Sequence, residues 1–157
     1  MEHPGYLNMF SDVIKKSFNE LTLEELYQIL DLRNIVFIME QKINYVDTDF
    51  KDQYCMHYMI KHHDHIIAYL RVVPKGKKFN EYALSRVVSH PQYRGLKSGE
   101  KLVKIAMNDY IGEPFRISGQ AYLRAFYERL GFEVVKGPYI EEDILHYEMV
   151  SKNLESL

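Results

Sequence analysis

The chain has 157 residues, enough for one domain that buries roughly two thirds of the surface its unfolded form exposes. Its 20 Lys and Arg against 22 Asp and Glu exclude the basic excess that duplex nucleic acid or an anionic membrane attracts. The one cysteine, Cys55, cannot form an internal disulfide, and the opening stretch MEHPGYLNMFSDVIKK lacks the apolar run of a signal peptide or membrane span, so a cytoplasmic protein is expected. No repeat, low-complexity tract or linker-like shift divides residues 1–157, and one domain is expected.

The elements follow from local patterns. Thr22-Leu23-Glu24-Glu25 has capping-box spacing, and Leu23, Leu26, Leu30 and Phe37 recur at helical intervals, which predicts a helix over 22–38 with an apolar stripe facing a sheet. MHYMIK (56–61) and IIAYLRVV (66–73) predict two strands of a hairpin around the polar turn 62–65, the second stopped by Pro74. YALSRVV (82–88) predicts a third strand. After HPQYRGLKSG comes a helix carrying Leu102, Val103, Ala106, Met107, Tyr110 and Ile111 on one face, ended by Gly112 and Pro114. A strand at 115–118, a compact helix at 121–130 closed by Gly131, and strands at 132–135 and 146–150 complete the pattern. The expected class is mixed α/β, with antiparallel hairpins and one helical crossover between 82–88 and 115–118.

The segment richest in chemical signal runs from Val87 and Val88 through Ser89-His90-Pro91-Gln92-Tyr93 to Arg94-Gly95-Leu96-Lys97-Ser98-Gly99. A strand, a glycine-containing loop and a helix start gather backbone N–H groups and the positive end of a helix around one point, which suits a pyrophosphate. The alternative is a plain strand-to-helix turn in which the two glycines only relieve backbone strain. Arg94, Lys97, Lys101 and Lys104, opposed locally by Glu100 alone, favour the phosphate. Lys75, Lys77 and Lys78 belong to a loop at the other end of the 82–88 strand, about 20 Å away at about 3.3 Å per residue, and are expected to form a solvated turn.

RGLKSG resembles the cofactor motif of the GNAT superfamily of N-acetyltransferases, Arg or Gln followed by x-x-Gly-x-Gly or Ala. Ala125-Phe126-Tyr127-Glu128-Arg129-Leu130-Gly131-Phe132 resembles the FYxxxGF box that follows it there. Lys97 stands where most members have the first glycine, as in the ElaA-like branch, which the chain also resembles over 33–41, 45–52, 119–121 and 140–149. The resemblance covers roughly residues 20–150. It implies a central, mostly antiparallel sheet splayed between the strands at 82–88 and 115–118 and flanked by about four helices. It also implies acetyl-CoA in the gap as co-substrate, the pantetheine pairing with backbone around Val87 and Val88, and the pyrophosphate on Arg94, Gly95, Leu96, Lys97, Ser98 and Gly99. A neutral amine would attack the thioester directly, with the oxyanion held by a backbone N–H such as that of Val88, and with no covalent enzyme intermediate or metal.

An alkylamine is mostly protonated at neutral pH, so a base is needed, and Glu40, Asp47, Asp49 or His146 can serve. Asp47 and Asp49 equally suit local loop hydrogen bonds, whereas Glu40 and His146 lie in ElaA-like segments and are the stronger candidates. Arg33 suits a cap or a structural pair. Tyr127 is the candidate general acid. Arg124 and Glu128 mark the wet side of its helix, and the resemblance implies a tyrosine near the departing sulfur, against the plain alternative of a core ring. His62, His63 and His65 crowd into a hairpin turn and predict no metal site, and Cys55 reads as a packed side chain. The acceptor is open among small amines, amino sugars, peptide N-termini and lysine side chains. A CoA-binding module without catalysis is the alternative function.

Overall fold

The structure, a computed structural model, describes residues 13–157; most of the opening stretch read for an apolar leader, residues 1–12, lies outside them. The capping box at Thr22 forms. The Glu25 N–H donates to the Thr22 hydroxyl (3.0 Å) and the Thr22 N–H donates to the Glu25 carboxylate (2.8 Å), satisfying two donors that a helix start leaves unpaired. Helix α1 (Leu23–Arg33) begins there and runs into a π-helical stretch, Asn34–Glu40, so the helix expected over 22–38 is present but widens in its second half. The Gln41 N–H accordingly reaches back five residues, to Val36 O at 3.0 Å.

Seven strands form one sheet: β1 (Val13–Ser17), β2 (Met56–His62), β3 (His65–Val73), β4 (Tyr82–Ser89), β5 (Phe115–Gln120), β6 (Glu133–Glu141) and β7 (Ile144–Ser151), in the order β1-β2-β3-β4-β5-β7-β6. Every neighbouring pair is antiparallel except β4 and β5, whose parallel pairing requires the crossover through helix α2 (Ser98–Asn108). β2 and β3 meet in a two-residue turn with positive φ at His63 (49°) and Asp64 (65°), the twist that a tight hairpin needs.

Two details depart from the sequence reading. β1 is an additional strand, too short and too lysine-rich (VIKKS) to announce itself. β6 extends well past 135, because an edge strand exposed along most of its length shows no apolar alternation. The segment 121–130 opens as a 3-10 turn, Ala121–Leu123, before α3 (Arg124–Arg129), and the described residues hold three α-helices, roughly the number expected.

The sheet alternation sorts its residues onto two faces. Met59, Ile66, Tyr69 and Val88 pack under Ile29, Leu32 and Val36 of α1 and its π-helical continuation. Tyr58, Ile60, Ala68, Leu70, Val72 and Leu84 face the other way, against Leu102, Val103, Ala106 and Met107 of α2 and Tyr127 of α3. No described helix is long and apolar enough to cross a membrane.

Candidate active site

β4 and β5 pair only through Tyr82 with Phe115 and Ala83 with Arg116, although both strands continue, to Ser89 and Gln120. On its outer side each remains laddered: β4 to β3 as far as Ser89, with the His90 N–H donating to Ile67 O at 2.8 Å, and β5 to β7 as far as Gln120. A bulge in β4 accounts for the divergence. Tyr69 pairs with Val88 and Arg71 with Ser85, so Arg86 and Val87 together oppose Leu70, and Arg86 takes φ +55°. A bulge of this kind bends its strand and sharpens its twist, which leaves the inner edges of β4 and β5 unpaired around a cleft of about 760 Å³.

Side chains hold the bulge. Arg86 donates from Nε to Asp47 Oδ1 and from Nη2 to Asp47 O, both at 2.9 Å, and its guanidinium lies over the Tyr45 ring at 5.3 Å. Behind it, fully buried Arg33 donates to Asp47 Oδ2 (2.7 Å) and Asp52 Oδ1 (2.8 Å), while fully buried Arg71 donates to the same Asp52 oxygen (2.8 Å) and to Asp49 Oδ1 (2.8 Å). Arg33 thus pairs structurally, and Asp47 and Asp49 each face arginines. For Asp49 burial works against the charged form, but the Arg71 hydrogen bonds prevail and hold its carboxyl well below the usual range. Cys55 is buried, donates to Lys51 O at 3.1 Å, and is pushed up to about 11 by burial, as befits a packed thiol.

At the far end of β4 the chain passes through a 3-10 turn, Pro91–Tyr93, to the glycine loop and the start of α2. Gly95 has φ +92° and Lys97 φ +57°. Lys97 therefore occupies a left-handed conformation at the position where the motif it resembles has glycine; for a side-chain-bearing residue this costs about 1–2 kcal/mol. A Cβ on Gly99 would meet Ser89 Oγ at 3.3 Å. Val87, Val88, Arg94, Gly95, Lys97, Ser98 and Gly99 line the cleft, whereas Leu96 is half-buried outside its lining. Ser98 is buried, and its hydroxyl has no hydrogen-bond partner among the described residues. An unsatisfied hydroxyl beside the free N–H groups of a helix start fits an anionic group such as a cofactor phosphate.

Glu40 and Arg94, expected in separate roles, face each other in a two-pronged ion pair (2.7 and 2.5 Å). The Arg94 hydrogen bonds hold the Glu40 carboxyl below its ordinary value. Beside them Gln41 donates to Tyr122 Oη (3.1 Å) and accepts from Gln120 Nε2 (2.9 Å), so the π-helical side of the cleft is tied to the β5 side. Gln41 and Gln120 lie in ElaA-like segments but, like Tyr122, are not singled out by sequence as site residues, because their relation depends on contacts about eighty positions apart.

Tyr127 lies on the cleft wall, buried between Phe126 and Phe132, and its hydroxyl has no hydrogen-bond partner among the described residues; burial raises its pKa. His146, 7% exposed, also lines the cleft. Its Nδ1 is 2.7 Å from Ile144 O and carries the hydrogen of that bond, and its Nε2 lies 3.6 Å from Glu141 Oε2. Ser118 holds Glu141, donating to the same oxygen at 2.9 Å. Lys75, Lys77 and Lys78 are exposed on the turn between β3 and β4, as expected of a solvated turn, and Lys78 in addition borders the cleft.

An open α/β sheet split at its one parallel pair, with a glycine loop and a helix start at the mouth of the split, defines the class of GNAT-type acyltransferase domains. A family model described as an acetyltransferase (GNAT) domain matches residues 35–153, and the chain belongs to this family. A UPF0039 protein of Schizosaccharomyces pombe is 33% identical over 144 residues, covering 88% of this chain and 95% of that protein. An acyl-CoA N-acyltransferase from Pseudomonas aeruginosa superimposes with a TM-score of 0.81 at 36% identity, over 89% of this chain and 99% of that one. The structure of Escherichia coli ElaA gives a TM-score of 0.82 at 28% identity, over 88% and 97%.

Proposed function

We propose that the protein transfers an acetyl group from acetyl-CoA to a primary amine by direct attack on the thioester. The observation that carries this reading is the split between β4 and β5, ending at the glycine loop and the unsatisfied Ser98 hydroxyl. In it, the inner edge of β4 around Val87 and Val88 holds the pantetheine, and the N–H groups of Arg94, Gly95, Leu96, Lys97, Ser98 and Gly99 hold the pyrophosphate. A backbone N–H on the inner edge of β4 beside the bulge steadies the developing oxyanion.

His146 takes the amine proton at Nε2, directly or through water. Glu40 is the weaker acceptor while Arg94 bonds both its oxygens. Tyr127 donates a hydrogen bond toward the departing sulfur. Full transfer from a phenol near 10 to a thiolate near 8.5 is uphill by about 2 kcal/mol before burial adds to it, so donation in the transition state suffices. The lone, buried cysteine favours a cytoplasmic setting.

The test is an acetyl-CoA-dependent thiol-release screen over a panel of primary amines, run beside CoA titration of thermal unfolding. CoA at 100 times its Kd stabilises the fold by about 2.7 kcal/mol, and at least one amine releases thiol. Stabilisation without release from any amine favours the non-catalytic CoA-binding module; neither signal overturns the cofactor site.

A further inference from the structure

The loop between β3 and β4 carries three lysines whose surroundings differ. Lys75 forms an ion pair with Glu113, whose hydrogen bond raises its pKa. The Lys77 ammonium lies 5.0 Å from the ring centre of Tyr54, a residue outside the cleft lining. Lys78 lines the cleft, and no carboxylate pairs with its ammonium among the described residues. Desolvation, and after it Arg86, lower its pKa; Arg71 adds to this, while Glu141 and Asp49 oppose it. Lys78 is itself an exposed residue, so its placement rests on the cleft lining and not on that shift. Arg86 is the bulge residue immediately before Val87 and Val88, and Glu141 stands beside His146. An aliphatic primary amine thus already borders the cleft that Arg86, Glu141 and His146 also line.

We infer that Lys78 is an acceptor of the protein's own acyl transfer. In the reaction, neutral Nζ attacks the thioester carbonyl of acetyl-CoA, the N–C bond forms as the C–S bond breaks, the amine loses one proton, and CoA leaves as thiolate and takes up one. The products are Nζ-acetylated Lys78 and CoA. Acetylation removes a positive charge from the cleft lining and adds bulk there, so the modification limits further turnover. This rests on the acetyl-CoA reading of the cleft.

The experiment incubates the whole protein with acetyl-CoA, without other amine, and maps acetylated lysines by peptide mass spectrometry. The expected result is acetylation of Lys78 at least about 10²-fold faster than of Lys75 or Lys77, the advantage of a held nucleophile over free ones. Its rate does not depend on protein concentration, and either excess CoA or Gly99→Val suppresses it. Lys78→Arg abolishes the modification. Acetyl spread evenly over the three lysines, insensitive to CoA, is uncatalysed chemistry and overturns the inference. So does an unmodified Lys78 in protein that acetylates a free amine or is stabilised by CoA. Absence of all binding and turnover instead overturns the acetyl-CoA reading itself.

Discussion

Tyr127 packs beside Gly119 on the cleft wall, where an added Cβ would lie in ordinary contact with the tyrosine ring at 3.4 Å. Its edge contacts with Phe126 (5.0 Å) and Phe132 (5.7 Å) fix the ring, and the hydroxyl forms no bond that the fold depends on. Tyr127→Phe should therefore leave stability and CoA affinity nearly unchanged while lowering kcat by on the order of 10²-fold, measured with a true acceptor under conditions where chemistry limits the rate. A wild-type kcat would return the residue to the core. Lys97 illustrates the opposite balance. It accepts left-handed backbone strain at the mouth of the cleft, where a turn of that shape aims successive N–H groups at one anion.

At the level of elements, the cleft exists because one strand is bent and kept bent. The bulge at Arg86 and Val87 belongs to β4, but the groups that hold it come from α1 (Arg33), the 47–52 loop and β3 (Arg71). Asp52 is the joint of this network, since one of its oxygens accepts from two fully buried guanidinium groups. Asp52→Ala strands part of both, and breaking a buried ion pair from one side costs about 3–5 kcal/mol. Denaturant unfolding should show that loss. A change below about 0.5 kcal/mol, the range of surface substitutions, would mean that the network does not support the fold.

On the scale of the whole molecule, Glu25 joins three elements. Its carboxylate takes Lys16 of β1 at 2.8 Å and Lys61 of β2 at 3.0 Å while capping α1. Burial opposes the charged form, but the Lys16, Thr22 and Lys61 bonds outweigh it and bring the carboxyl from 4.5 to about 2. The folded value is the lower one, so the stabilisation is fully present above 4.5 and is lost as pH falls toward 2, up to about 3 kcal/mol in all. Urea unfolding across that window should show the decline, and Glu25→Gln should flatten it. An unchanged slope in that variant would assign acid sensitivity to other carboxylates, of which Asp49 and Asp52 are also held low by arginines.

What the amino-acid sequence determined by itself was written within a few neighbouring residues. The capping box at Thr22 and Glu25, the hairpin around His63 and Asp64, the apolar face from Leu102 to Met107, and the glycine loop after Val88 each depend on backbone periodicity or on one turn, so they are legible locally. The tertiary structure decided the rest. Only topology brings Arg94 to Glu40 across 54 positions, gathers Arg33, Arg71 and Arg86 around three aspartates, and turns Lys78 rather than Lys75 into the cleft. Charges carry no periodic signature, and their partners are chosen by which strands lie side by side and where one of them bulges.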